Sequence, residues 1–168
     1  MENKMFCFQC QETAGCKGCT VVGVCGKKPE VAAMQDLLIY VTKGLSAITT
    51  KLRAEGKEVS REVNHLCTVN LFITITNANF DREAIIAEIK KTLQVKAELL
   101  GQLTDRPACR KLPCGTGKKA NLMPKLRTLA YWPPKTKTSV LREMITYGLK
   151  VCLPTANMPT TWYRITPK

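Results

Sequence analysis

Five cysteines crowd into the first 25 residues, at Cys7, Cys10, Cys16, Cys19 and Cys25, in the spacing C-x2-C-x5-C-x2-C-x5-C. Thiolates this close on one loop can converge on a soft metal centre. Four of them suffice for a [4Fe-4S] cube, and paired C-x2-C knuckles equally make a zinc site from Cys7, Cys10, Cys16 and Cys19. Spacing alone leaves both chemistries open and does not say which thiol is surplus. A disulfide framework is the weaker reading. The chain opens Met-Glu-Asn-Lys, without the basic and apolar regions of an export signal, and its nine cysteines are an odd number.

The elements that must position these thiols follow directly. Residues 6–28 are rich in Cys and Gly and show no sustained period, so they form a loop wrapped around something. Pro29 and Glu30 suit a helix's first turn, and Met34, Leu37, Leu38, Val41, Leu45, Ile48 and Leu52 recur at three-and-four spacing, predicting an amphipathic helix that ends near Gly56. From 60 to 76, Val63, Leu66, Val69, Phe72 and Ile73 favour a second helix, although Phe72-Ile-Thr-Ile-Thr is β-branched enough to read as a strand. Asp81 is a good N-cap for a third helix marked by Ile85, Ile86, Ile89, Leu93, Leu100 and Leu103. The expectation is a mainly α protein. A Cys-rich loop (1–28) leads into a three-helix antiparallel bundle (29–103), followed by an irregular tail (104–168) with a short helix at 140–150.

The residues around the thiols narrow the chemistry. Met5-Phe-Cys-Phe-Gln-Cys-Gln-Glu-Thr-Ala and Gly18-Cys-Thr-Val-Val-Gly-Val-Cys-Gly-Lys closely resemble the N-terminus of the hybrid-cluster, or hydroxylamine reductase, family. Pro29-Glu-Val-Ala, Leu37-Leu-Ile-Tyr-Val-Thr-Lys-Gly-Leu-Ser and Thr74-Ile-Thr-Asn-Ala-Asn-Phe-Asp match the same family, so the resemblance covers about residues 5–103. More distantly, it is similar to the cluster-binding start of carbon monoxide dehydrogenases. The resemblance implies that the family's C-x2-C-x8-C-x5-C ligand set falls on Cys7, Cys10, Cys19 and Cys25, which hold an electron-relaying [4Fe-4S] cluster. Cys16 is then a non-ligating loop residue.

Members of that family are several times longer. They reduce hydroxylamine to ammonia and water, or handle nitric oxide, at a second, hybrid iron–sulfur–oxygen cluster held by His, Glu and Cys residues. Nothing here corresponds to that set. The lone histidine, His65, reads as a solvent-facing residue of the second helix, and Cys67 as a small core residue. The resemblance therefore implies a fragment with the relay site and without the hybrid cluster, inactive on hydroxylamine by itself and dependent on an electron-donor protein.

Charge separates two compositions. Of the formal +13, the last 65 residues carry +11, with 13 Lys and Arg against two acidic residues, and eight of the nine prolines lie there. Such a tail can bind nucleic acid. A frameshift explains more: Leu141-Arg-Glu-Met-Ile-Thr-Tyr-Gly-Leu-Lys again looks like the family, while its flanks do not. Reading each flanking codon from its third base turns Trp132-Pro133 into Leu-Ala and permits an acidic reading of residues 119–137. On that reading the tail's charge carries no meaning for partners, and Cys109, Cys114 and Cys152 have no designed roles. No apolar run of about 18 to 20 residues stands out as membrane-spanning. The expectation is a cytoplasmic protein, with a stand-alone iron–sulfur carrier as the second reading and a basic zinc-binding, nucleic-acid-associating protein as the third.

Overall fold

The computed structural model describes residues 5–10, 12–75, 80–104, 145–146 and 148–150. Three α-helices follow the thiol loop: α1 (Pro29–Ala54), α2 (Arg61–Ile73) and α3 (Arg82–Gly101). Pro29 takes the first helical position of α1, where its missing N–H costs nothing, with Glu30 in the first turn and Lys51 and Arg53 in the last. The helix stops at Gly56, whose φ of +74° is a left-handed conformation that glycine adopts freely. The Lys57 N–H then reaches the Leu52 carbonyl (2.9 Å) and the Gly56 N–H the Arg53 carbonyl (3.0 Å), the paired bonds of a Schellman cap.

Ser60 opens α2, its hydroxyl accepting from the Val63 N–H at 3.4 Å. Asp81 opens α3, its carboxylate accepting from the Glu83 and Ala84 N–H groups at 2.9 and 3.3 Å. The ambiguous Phe72-Ile-Thr-Ile-Thr run resolves as helix through Ile73. Thr74 caps it, donating its hydroxyl proton to the Leu71 carbonyl at 2.7 Å. Residue 76 lies outside the described residues.

Two apolar clusters give the helix directions. Val31, Met34, Leu37, Leu38 and Val41 from the first half of α1 pack with Ile85 and Ile89 from the first half of α3, and Ile73 at the end of α2 joins them. Leu45, Ile48 and Leu52 pack with Leu66 early in α2 and with Leu99 and Leu103 at the end of α3. So α1 and α3 run parallel and α2 runs against both, the up-down-up bundle that short connections dictate. All seven α1 positions expected in the core are buried, with Leu38, Leu45 and Leu52 wholly excluded from solvent. Burial of each such side chain contributes about 1.5–3 kcal/mol.

Polar groups fix the register. Asn70 of α2 is fully buried and donates from Nδ2 to Thr42 Oγ1 of α1 (3.1 Å) and Thr92 Oγ1 of α3 (2.7 Å). Both threonine hydroxyls pass their protons down their own helices, to the Leu38 and Glu88 carbonyls, each at 2.7 Å. At the far end, Lys57 Nζ donates to Glu55 Oε2 (2.8 Å), the Gln102 carbonyl and Thr104 Oγ1 (2.9 Å), and the Thr104 N–H donates to Glu55 Oε2 (3.2 Å). That knot joins the end of α1 to the end of α3. Lys57 beside Glu55 holds this carboxyl down at about 2, against an ordinary 4.5.

One helix among the described residues, α1, is long and apolar enough by length and composition to cross a membrane, which the sequence pattern did not suggest. Most of that stretch is buried inside the bundle. The chain divides into two compact units, Met1–Trp132 and Pro133–Lys168. Within the second, the described positions 145, 146 and 148–150 are helical, inside the span expected to form the short helix. The rest of the tail, with Cys109, Cys114 and Cys152, lies outside the described residues.

Candidate metal centre

The thiol loop is built on backbone. Cys7 and Cys19 face each other across an antiparallel bridge, the Cys7 N–H donating to the Cys19 carbonyl (2.9 Å) and the Cys19 N–H to the Cys7 carbonyl (2.8 Å). A third bond, from the Met5 N–H to the Thr20 carbonyl at 3.1 Å, extends the pairing. Gly18, just before Cys19, has φ +115°, and a Cβ there would stand 2.7 Å from Phe6 Cε2. Only glycine brings the two strands of the loop this close around the Phe6 ring. Met5 and Cys19 are buried against Ala32 in the first turns of α1, with Cys7 packed on the same group.

A second turn carries Cys25. The Gly23 N–H donates to the Lys27 carbonyl and the Gly26 N–H to the Gly23 carbonyl, both at 2.8 Å, and Gly26 takes φ +85°. A Cβ on Gly23 would stand 3.0 Å from Lys27 Cβ and 3.1 Å from Cys25 Sγ, so the turn is closed around that sulfur. Lys27 links the two halves of the loop, its Nζ lying 3.8 Å from Cys7 Sγ.

Of the expected ligands, the structure therefore sets Cys7 against Cys19 and brings the Cys25 turn to Cys7 through Lys27. Cys10 is half-buried in the bend that follows Cys7. Among the described residues, no three His, Cys, Asp or Glu side chains are drawn close enough together to hold a metal ion. The donor set nonetheless fits an iron–sulfur cube in kind: four cysteines on one short loop, free of disulfides, one of them buried and three half-buried. Burial pushes the Cys7 thiol up, and the Lys27 ammonium opposes that shift.

Cys16 stands apart. It is exposed in the short 3₁₀ turn Ala14–Cys16 and has φ +55°, a left-handed conformation uncommon for a side-chain-bearing residue. His65 is exposed, as its sequence position suggested. Cys67 is half-buried against the Leu45–Leu99 cluster and accepts from Ser46 Oγ at 3.8 Å, and burial pushes its thiol up. Lys27 was missed by sequence reasoning. The available signal was a basic residue two positions after a cysteine, where it can act on a thiolate. The loop also exposes Phe8, Val21, Val22 and Val24.

The sequence model of the Prismane/CO dehydrogenase family matches residues 5–161. A hydroxylamine reductase of Desulfovibrio desulfuricans is 50% identical over 153 residues, covering 89% of this chain and 28% of that protein. One from Clostridium perfringens is 46% identical over 156 residues, covering 87% and 28%. One from Clostridium tetani is 57% identical over 99 residues, covering 59% and 17%. The match thus spans between 17% and 28% of the length of these relatives, and the alignment confined to 99 residues has the highest identity of the three.

Proposed function

The chain belongs to the Prismane/CO dehydrogenase family, whose members bind iron–sulfur clusters, and we propose that its thiol loop is the [4Fe-4S] electron-relay site of a hydroxylamine-reducing protein. The observation that carries the reading is the loop itself: Cys7 and Cys19 are locked opposite each other, and Cys25 is held in a tight turn whose Lys27 reaches Cys7. Cys7, Cys10, Cys19 and Cys25 are the thiolates that hold the cluster. When bound, it supplies one-electron transfer and no bond chemistry of its own on hydroxylamine.

The chain's own residues position and shield that group. The Cys7–Cys19 bridge fixes the separation of two ligands, Gly18 allows it, and Ala32 with Met5 covers the buried side. On this reading electrons come from a separate donor protein and leave toward the hybrid cluster of the family. Reduction of hydroxylamine belongs to the further length of the relatives. The basic tail is read as the product of a shifted frame, so its charge is assigned no partner; resequencing the gene through codons 104–168 tests this, and an unbroken frame sinks it.

Anaerobic metal and sulfide analysis of the purified chain tests the relay reading. About four irons and four sulfides per chain, with a broad absorbance band near roughly 400 nm, is the expected result. Colourless protein with a single zinc overturns it. Cys16→Ser should leave the iron content unchanged, whereas Cys19→Ser should abolish it; the reverse pattern would move the ligand set.

A further inference from the structure

Lys27 is the largest fully buried side chain among the described residues, only 1% exposed. An ammonium group taken out of water is costly unless an opposite charge faces it. Among the described residues, no carboxylate is ion-paired with it. Its Nζ points instead at Cys7 Sγ, 3.8 Å away, and lies 6.0 Å over the ring of Phe80, whose negative π face favours a cation. Its backbone carbonyl is held by the Gly23 N–H at 2.8 Å, in the turn that closes around Cys25. Among the described residues, Asp36 and Cys19 act on Cys7 in the opposite sense, and Lys27 is the cation that faces it. A long, flexible cation has been packed into the interior beside one proposed ligand and two residues from another.

We propose that Lys27 is the buried counter-charge of the thiolate set, a positioning residue that makes the cluster held by Cys7, Cys10, Cys19 and Cys25 easier to reduce. The inference rests on the relay reading above. Uptake of one electron adds one negative charge to a thiolate-bound cluster already anionic, and a fixed cation behind Cys7 stabilises the more negative state in an interior that screens charge poorly. The lysine thereby biases electron flow from the donor onto this site. The Phe80 ring, just ahead of α3, faces the ammonium, and the side chain is buried, so the charge is set by the fold rather than by a mobile surface side chain.

Lys27→Met and Lys27→Arg, made in the full chain and purified anaerobically, test this by iron and sulfide content and by a mediated dithionite titration followed by electron paramagnetic resonance. Methionine is apolar and of similar length, and apolar replacement of buried charges commonly preserves a fold. In the methionine variant the reduced-to-oxidised ratio at fixed poise should fall about tenfold, a midpoint shift of 59 mV to lower potential for a one-electron couple. The arginine variant should stay near wild type. Cluster loss in the methionine variant alone also supports the charge role, because arginine restores it. An unchanged midpoint with methionine overturns the proposal, as does cluster loss in both variants, which would mark a packing role. Wild-type protein without a cubane sinks the relay reading itself, whereas a wild-type cubane with an unshifted methionine variant sinks only the role of Lys27.

Discussion

The bundle and the loop ahead of it hold their shapes by different means. The bundle from residue 29 onward closes on leucines and isoleucines excluded from water, with a shared Asn70 setting register and a polar knot joining the ends of α1 and α3. The loop from residue 5 to 28 has one small apolar group, a two-residue bridge, and glycines at positions where any side chain would collide or strain. Apolar burial and the buried Asn70 together specify the first region. The second is specified only up to the placement of its sulfurs, and the final closure is left to whatever the sulfurs bind.

Iron removal probes that contrast most strongly. Oxidative stripping of the proposed cluster should abolish amide protection at Met5, Cys7 and Cys19 while leaving far-ultraviolet circular dichroism of the three helices intact. Collapse of helicity along with the iron would break the comparison. Leu45→Ala strikes the other region and should cost about 2–5 kcal/mol in chemical denaturation, because a wholly buried side chain leaves a cavity. Gly18→Ala should cost about 1–3 kcal/mol through φ +115° and the Phe6 ring, and should show first as faster iron loss at unchanged helicity.

The smallest effect is expected at Glu55. Its carboxyl is held at about 2 in the folded chain against an ordinary 4.5, so the knot's contribution is fully present above about 4.5 and fades as pH falls toward 2. Thermal unfolding of Glu55→Gln should therefore differ from wild type at neutral pH and converge with it in acid. A gap that persists below pH 2 would assign the knot to hydrogen bonding without charge.

What the sequence made legible follows the same division. In α1 the apolar period is strong, and each expected core position is buried. Of the six residues that marked the third helix, Ile85 and Ile89 in α3 and Leu103 just past its end are buried, and the other three pack against the same two clusters. Ile86, Leu93 and Leu100 are half-buried, while Thr92, Lys96 and Leu99 lie inside. Polar residues at helical spacing read as surface, and only a partner on another helix, such as Asn70 for Thr92, reveals otherwise. Asn70 itself could not be read as core for the same reason. The cysteines were legible by type and spacing, and Asp81 as a cap by chemistry. The pairing of Cys7 with Cys19 was not legible, because it depends on backbone geometry at Gly18. Lys27 reads as a solvent-facing lysine until Phe80, 53 residues away in sequence, is seen beneath it.

That separation orders events during synthesis. The thiols leave the ribosome first, yet the ring that seats Lys27 belongs to a segment made only after α1 and α2 are complete, and closing so long a loop has its own entropic cost. A cluster delivered to the emerging chain before then would meet an open, solvent-washed loop. For the proposed cluster this sets an order: maturation belongs after Phe80 has docked, and a chain stalled before residue 80 would expose its sulfurs to oxidation.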